Sequence, residues 1–239
     1  VGGDTEVRRL SLTEATSCGL NELVQLASPY MEHVSGMLDL KRLQSAGLNV
    51  VVDAMHGAGG GYLVDLLFGG ETRIEELRGE RNPAFPGMHN PEPIARNLGK
   101  LTRAVTEKCA DIGLALDGDA DRLGVIDETG TFVTPLQTFA LLTYYLLEVR
   151  RERGTIIKSL TNTSMAWLLG ERYGVRVLET GVGFKFIAPL MLDQQAMIGG
   201  EESGGYAIRG HIPERDGILS GLLLVLKNVQ PYLRNVQTF

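Results

Sequence analysis

The sequence predicts an α/β protein made of two consecutive domains, each a mixed β-sheet covered by helices. Two observations lead to this prediction. Short runs rich in β-branched residues are followed by glycine-rich turns and then by apolar segments with helical spacing. The same alternation starts again after Gly154, so two units of similar length follow one another.

In the first unit, strands are predicted over residues 47–54, 72–78 and 111–116, followed by a hairpin that turns near residues 128–130. A glycine-rich turn follows the first strand and leads into a short apolar helix. Prolines concentrate in residues 83–93, which predicts an ordered loop. Further helices are predicted over 94–108 and 135–151, the second because proline is favoured at a first helical position.

In the second unit, strands are predicted over residues 155–160 and 175–180, with two more in 196–209 around a glycine-rich turn. The helices are predicted over 164–174, 183–192 and 216–229. We therefore expect a connecting segment over residues 1–29, a first domain over 30–136 and a second domain over 137–239.

Composition narrows the possible functions. With 44% apolar residues the chain can bury a core, and its net charge of −6 comes without a long cluster of lysine or arginine, so no nucleic-acid partner is expected. Cys18 and Cys109 do not form a CxxC pair, which argues against a disulfide scaffold or a zinc site. The apolar run at 217–226 is too short to span a bilayer, so we expect no membrane association and a soluble, cytoplasmic protein.

The stretch LALDGDADRLGVI, residues 114–126, places Asp117, Asp119 and Asp121 at alternate positions. Three adjacent carboxylates repel one another unless a cation neutralises them. In an extended segment all three side chains point to one side, and the small residues between them leave room for the backbone to bend around an ion. Oxygen ligands of this kind predict a site for Mg²⁺, with Mn²⁺ as a possible substitute.

Other interpretations of the same loop differ in the residues they require. A calcium-binding EF-hand needs glycine at the sixth position of the loop, where this chain has Arg122, and it needs flanking helices. An aspartate-nucleophile phosphatase would use Asp117 to attack phosphorus and Asp119 to transfer a proton, but it leaves Asp121 and Arg122 without roles. This phosphatase and a non-catalytic module that binds divalent metal are the alternatives that stay open.

Three motifs occur in a specific order: DGDADR at 117–122, ETGVGFK at 179–185 and GGEESGGYAIRGHIPERDGI at 199–218. Together they resemble the α-D-phosphohexomutases, the phosphoglucomutase and phosphomannomutase family. The resemblance covers roughly residues 30–239 and corresponds to the second and third of the family's four domains.

The resemblance implies an isomerase that interconverts hexose 1-phosphate and hexose 6-phosphate, of glucose or mannose, by intramolecular phosphoryl transfer. A phosphoserine gives its phosphoryl group to the sugar, and a hexose 1,6-bisphosphate is the intermediate and activator. By similarity, Asp117, Asp119 and Asp121 hold Mg²⁺, which offsets charge while the phosphoryl group moves.

The resemblance also implies contacts to a phosphorylated hexose. Arg122 would lie beside the transferring group, and Glu201 and Ser203 would hydrogen-bond sugar hydroxyls. Lys185, near a helix start, and Arg215 would reach the substrate as cations facing an anion. The choice among glucose, mannose and amino sugars stays open.

The family's catalytic serine, in a context like T-A-S-H-N-P, does not occur in the 239 residues. Ser17 lies in ATSCG, without the histidine, asparagine and proline, so no catalytic residue is assigned in this chain. The phosphate-gripping loop of the fourth domain is absent as well. We therefore expect this chain to act with domains I and IV of the same polypeptide, and to be inactive by itself.

Overall fold

Two mixed β-sheets with helices packed on them form the framework of the protein. The computed structural model describes residues 9–225. Within this range, the arrangement confirms the predicted fold class of two α/β domains in succession.

The described residues up to His33 form one compact unit of the chain, and those from Val34 onward form another. Helix α1, Leu12–Ser17, lies within residues 1–29, which the sequence analysis predicted to be a connecting segment. Its start is a capping box, in which Ser11 Oγ accepts a hydrogen bond from Glu14 N and the Glu14 carboxylate accepts one from Ser11 N. The S-x-x-E spacing is the sequence feature that indicates this helix. Helix α2 follows at Ala27–Met37.

The first sheet has five strands, in the order β2-β1-β3-β4-β5. These are β1 Asn49–Asp53, β2 Arg73–Leu77, β3 Ile112–Leu116, β4 Leu123–Asp127 and β5 Phe132–Val133. The first three run parallel, while β4 and β5 are antiparallel additions. All five residues of β3 are buried, which is why its sequence is a continuous apolar run and does not alternate.

Short helices connect and cover this sheet. They are α3 Leu40–Gln44, α4 Tyr62–Leu67 and α5 Gly99–Glu107. In α5, the buried residues Leu101, Ala104 and Val105 have i, i+3, i+4 spacing and pack on the central strands. The helix predicted over 94–108 begins later than expected, because residues Ala95–Asn97 form a separate 3₁₀ turn.

The second sheet has four strands, in the order β7-β6-β8-β9. They are β6 Ile156–Ser159, β7 Val177–Thr180, β8 Ile198–Gly200 and β9 Tyr206–Ile208. The helices of this half are α6 Pro135–Tyr144, α7 Met165–Tyr173, α8 Phe184–Asp193 and α9 Gly217–Val225. A π-helical segment, Tyr145–Val149, continues α6, which begins with a capping box between Thr134 and Gln137.

The two sheets repeat one topology. In each, the first strand lies between the second and third, all three are parallel, and a tight connection leads from the third to an antiparallel fourth. The connection in the first sheet is residues 117–122, here called the aspartate loop. Its counterpart in the second sheet is residues 201–205, here called the glutamate turn. The repeat therefore places the two acidic motifs at equivalent positions.

Helix α9 packs against strands of both sheets. All nine of its residues are buried, and it contacts β3 and β4 of the first sheet and β9 of the second. The sequence prediction continued this helix to residue 229, and residues 226–229 lie outside the described part of the chain. Within residues 9–225, no helix combines the length and hydropathy needed to cross a membrane.

Candidate functional site

The aspartate loop brings three carboxylates together at the ends of β3 and β4. Asp117, Asp119 and Asp121 each offer an oxygen, and these oxygens lie within 4.8 Å of one another. The expected extended conformation is wrong: the loop is a turn in which Ala120 has φ 65° and donates from its N–H to Asp117 O at 3.2 Å. The carboxylates converge because the backbone curves around them.

The glycine-rich turn after β1 supports the aspartate loop. Ala58 N donates to Gly118 O at 2.9 Å, and a Cβ atom at position 57 would lie 2.7 Å from that same oxygen. Gly118 N in turn donates to Pro91 O at 3.1 Å, in the proline-rich loop. Gly57 is therefore required because two backbone segments approach each other closely here.

Asp117 is the most buried of the three aspartates, with 2% of its side chain exposed. Its Oδ1 accepts a hydrogen bond from Arg122 N at 3.0 Å, and its Oδ2 lies 3.0 Å from Arg122 Nε. Burial raises the pKa of Asp117 to about 7, and the negative charges of Asp121 and Asp119 add to the effect, while the Arg122 hydrogen bond opposes it. This carboxyl group therefore keeps a proton up to about neutral pH, and a bound cation would favour its ionised form.

Asp121 is also affected by its surroundings. Burial raises its pKa, and the positive charge of Arg215 opposes this rise. Its Oδ2 forms an ion pair with Arg215 Nη2 at 2.5 Å. Its Oδ1 is buried and receives no hydrogen bond from an N–H or hydroxyl donor of residues 9–225. Asp119, in contrast, is exposed and lines a cleft of about 390 Å³ beside Glu92.

These features fit a divalent cation. Hard cations take carboxylate oxygens, and Mg²⁺ commonly keeps several waters as well, which an exposed Asp119 in an open cleft permits. Asp121 Oδ1 is buried and accepts no hydrogen bond within residues 9–225, although Arg122 Nε lies 3.6 Å away, and a metal ion would fill its remaining bonding capacity.

The glutamate turn presents Glu201 and Ser203. Glu201 is buried, and burial raises its pKa, while the positive charge of Arg215 opposes this rise. Ser203 Oγ is buried and has no hydrogen-bond partner in the described part of the chain. The turn therefore carries a carboxylate and a hydroxyl of the kind that bind the hydroxyl groups of a ligand.

The aspartate loop and the glutamate turn contact each other directly. Arg122 and Gly205 form an antiparallel bridge, and Leu123 N donates to Gly204 O at 2.9 Å. Arg215 joins the two carboxylate groups, since its Nη1 lies 3.4 Å from Glu201 Oε2. The predicted residues of both motifs thus form one continuous site.

Lys185 is the predicted residue that this cluster does not include. It is exposed on the first turn of α8, and its Nζ lies 5.1 Å from the centre of the Phe186 ring. The preceding residue, Phe184, places its ring 5.5 Å from the Arg215 guanidinium carbon. Lys185 is therefore next to the site in sequence, but among residues 9–225 it makes no ion pair with the carboxylates of the site.

Sequence reasoning missed a buried lysine on β6. Lys158 is 2% exposed and pairs with Glu179 at 2.7 Å. The next residue, Ser159, donates from its hydroxyl to Glu202 Oε2 at 2.8 Å. The sequence did contain a signal for this residue: a lysine lies within a run that is otherwise typical of a buried strand. A buried lysine needs an anionic partner.

Glu92 was missed as well. Its Oε1 lies 3.7 Å from Arg122 Nη1, so Arg122 has a carboxylate partner outside the aspartate loop. Asn97 holds the backbone of this segment by donating from its amide to Asn90 O and Glu92 O. The pairing joins residues from separate loops, which spacing alone does not reveal.

Comparison with known proteins identifies the family. Residues 28–130 match the model of the phosphoglucomutase/phosphomannomutase alpha/beta/alpha domain II, and residues 134–231 match that of domain III. The chain belongs to the phosphoglucomutase/phosphomannomutase family of phosphohexomutases.

Individual relatives agree with this assignment. The phosphoglucomutase/phosphomannomutase of Thermococcus kodakarensis is 32% identical over 84% of this chain and 43% of its own length. A phosphoglucosamine mutase of an Arthrobacter species is 33% identical over 82% of this chain and 42% of its own length. A crystal structure of a Thermus thermophilus protein described as a phosphomannomutase superposes with a TM-score of 0.82 at 37% identity, over 91% of this chain and 52% of that one. The chain therefore spans about half the length of the relatives it matches.

Proposed function

We propose that this chain supplies the metal-binding and sugar-binding domains of a phosphohexomutase that interconverts hexose 1-phosphate and hexose 6-phosphate. The observation that carries the proposal is the direct contact between the aspartate loop and the glutamate turn through the Arg122–Gly205 bridge. A phosphoryl group held by a cation at the loop would then lie beside a sugar held by the turn. The proposed domains are 30–136 and 137–239, and their partners are domains I and IV of the same polypeptide.

In this proposal Asp117, Asp119 and Asp121 hold Mg²⁺, or Mn²⁺ in its place. The ion supplies charge neutralisation to the phosphoryl oxygens when it is bound. Arg122 keeps Asp117 in position through its N–H and Nε, and directs its remaining guanidinium donors towards the cleft lined by Asp119.

The sugar contacts would come from the second domain. Glu201 accepts hydrogen bonds from adjacent hydroxyls, and Ser203 Oγ, which has no partner within residues 9–225, donates or accepts one more. Arg215 and Lys185 bind the phosphate of the hexose. A hexose 1,6-bisphosphate is the intermediate, and it reorients in the site between the two phosphoryl transfers. The relatives include glucose, mannose and glucosamine phosphate mutases by name, so the hexose is proposed only as this class.

Metal binding is tested by electron paramagnetic resonance of Mn²⁺ added to the purified chain. We expect about one ion per chain, and a dissociation constant at least about tenfold higher for Asp119→Asn, because a ligand and a charge are lost. Asp65→Asn makes the same charge change at an exposed position of α4 and should leave the constant unaltered. Equal affinity in Asp119→Asn and the unmodified chain would refute the metal site.

Sugar binding is tested by saturation-transfer NMR with glucose 6-phosphate in the presence of Mg²⁺. We expect weak binding that Glu201→Gln reduces further, because the amide can accept only on one side. A signal unchanged in Glu201→Gln would show that the turn is not the sugar site.

Activity assays separate this proposal from a phosphatase. The chain by itself should convert no glucose 1-phosphate to glucose 6-phosphate, since in this proposal the phosphoserine lies on domain I. It should also release no inorganic phosphate, because the Asp117 side chain is only 2% exposed and is proposed to hold the metal ion instead of attacking phosphorus. Phosphate release that Asp117→Asn abolishes would instead favour the phosphatase.

A further inference from the structure

Arg215 lies between the two halves of the site and touches a carboxylate of each. Its Nη2 is 2.5 Å from Asp121 Oδ2, in the aspartate loop, and its Nη1 is 3.4 Å from Glu201 Oε2, in the glutamate turn. The Phe184 ring packs against the guanidinium, with its centre 5.5 Å from the Arg215 Cζ. One cation is therefore shared by a residue of the proposed metal site and a residue of the proposed sugar site.

The backbone around Arg215 is fixed, so the guanidinium group is the part free to change partners. Leu123 N donates to Gly204 O, and Gly217 N donates to Ala120 O, both at 2.9 Å. These bonds tie the aspartate loop to the glutamate turn and to the start of α9. The aliphatic part of Arg215 crosses Gly205, where a Cβ atom would collide with it.

Asp121 forms an ion pair with Arg215 and is also a ligand of the proposed metal site. A divalent cation at Asp121 Oδ1 draws on the same carboxylate charge that holds Arg215 at Oδ2, and the two cations repel each other. Glu201 gives the guanidinium a second anionic partner, and Glu214 Oε1 lies 3.3 Å from its Nε. The more strongly Glu201 binds Arg215, the less Arg215 competes with the metal ion for Asp121.

We propose that Arg215 couples the two halves of the site: it competes with the metal ion for Asp121, and Glu201 relieves this competition by drawing the guanidinium away. The inference rests on the proposed metal site. Because such coupling is reciprocal in free energy, a metal ion bound at Asp121 would release Arg215 towards Glu201 and an anionic ligand beside it.

The first test is the Mn²⁺ dissociation constant of Arg215→Gln, measured by electron paramagnetic resonance at pH 8. Competition predicts tighter binding, by about fivefold, because a cation that shares Asp121 is removed. If Arg215 merely held the loop in shape, its loss would loosen the triad and weaken Mn²⁺ binding. Unchanged or weaker binding in a variant with a native circular dichroism spectrum would overturn the proposal.

The second test asks whether Glu201 acts through Arg215. Glu201→Gln should weaken Mn²⁺ binding by about fivefold, although Glu201 is not among the triad, because Arg215 then loses its partner in the glutamate turn and keeps Asp121 and Glu214. Glu202→Gln is the matched control: it removes the same charge one residue away, from a carboxylate that accepts a hydrogen bond from Ser159 instead. It should change the dissociation constant by less than about twofold, the size of a remote charge effect in salt.

The double variant completes the cycle. In the Arg215→Gln background, Glu201→Gln should have no larger effect than Glu202→Gln, because the residue that transmits the effect is gone. Additive effects of the two substitutions would overturn the coupling and leave the metal site standing. Failure of Asp119→Asn to alter Mn²⁺ binding would instead refute the metal site, and the coupling with it.

Discussion

Among single residues, those of the aspartate loop place negative charge where burial disfavours it. Asp117 and Asp121 both have raised pKa values, with burial as the largest cause, and arginine side chains compensate only part of the charge. Such a cluster is arranged for binding at some expense of stability. The consequence can be measured as a pH dependence of folding.

We expect Asp117→Asn to remove a pH-dependent loss of stability from the metal-free chain. The ordinary pKa of this group is 3.8 and the folded value is about 7, so the folded state holds a proton that the unfolded state has released. Folding stability therefore falls as the pH rises from about 4 to about 7, and it is fully retained only below that range. Asparagine carries no such charge and should escape this loss.

Thermal unfolding of the chain and of Asp117→Asn in the presence of a chelator, at pH 5 and at pH 8, measures this effect. The difference in Tm between the two proteins should shift in favour of the variant at pH 8, and added Mn²⁺ should raise Tm only for the unmodified chain. Parallel Tm changes in both proteins across this pH range would contradict the raised pKa.

Among the structural elements, the turn that follows β1 determines the position of the aspartate loop. Ala58 N holds Gly118 O, and the absence of a side chain at Gly57 lets the two backbones approach. The turn thus acts on the metal site without supplying a ligand to it.

Gly57→Ala should therefore weaken Mn²⁺ binding while the chain stays folded. Its Cβ would lie 2.7 Å from Gly118 O and 2.8 Å from Asp117 O, so the loop has to move. Overpacking of this kind costs about 1–3 kcal/mol, which corresponds to a Tm decrease of several degrees in a chain of this size. Calorimetry and Mn²⁺ titration of the same sample measure both effects.

Gly99→Ala is the control for this substitution. A Cβ atom at Gly99, the first residue of α5, would have no neighbour within 4 Å, and alanine is a better helix former than glycine. Its Mn²⁺ affinity should equal that of the unmodified chain. Equal affinity in Gly57→Ala as well would show that the turn does not position the loop.

Local sequence patterns predicted most of the elements but fewer of the contacts between them. The apolar run before Asp117 and the small residues within the loop were enough to predict a strand followed by an acidic site, because both features are local. The Arg215–Asp121 and Glu92–Arg122 pairs join segments far apart in sequence, so spacing carries no information about them. The left-handed Ala120 was also missed, since alanine rarely adopts φ 65° without tertiary support.

Across the protein as a unit, the two sheets share a helix as well as a topology. Helix α9 is buried over all nine residues and contacts strands of both sheets, while the aspartate loop and the glutamate turn bond to each other. Residues on either side of the site are therefore coupled through a common core. Loss of either sheet would expose the apolar surface of α9.

This arrangement predicts that the two sheets unfold together. Leu101→Ala removes a fully buried side chain from α5, on the first sheet, and should cost about 2–5 kcal/mol. Trp167, the only tryptophan of the sequence, lies on α7 beside the second sheet and reports unfolding there by fluorescence. Urea titration followed by Trp167 fluorescence and by far-ultraviolet circular dichroism should show one shared midpoint, shifted equally for both probes.

Leu168→Ala, at a 65% exposed position next to the probe, should leave the midpoint almost unchanged. If Leu101→Ala shifted only part of the circular dichroism transition and left the Trp167 midpoint in place, the sheets would be independent folding units and α9 would not join them energetically.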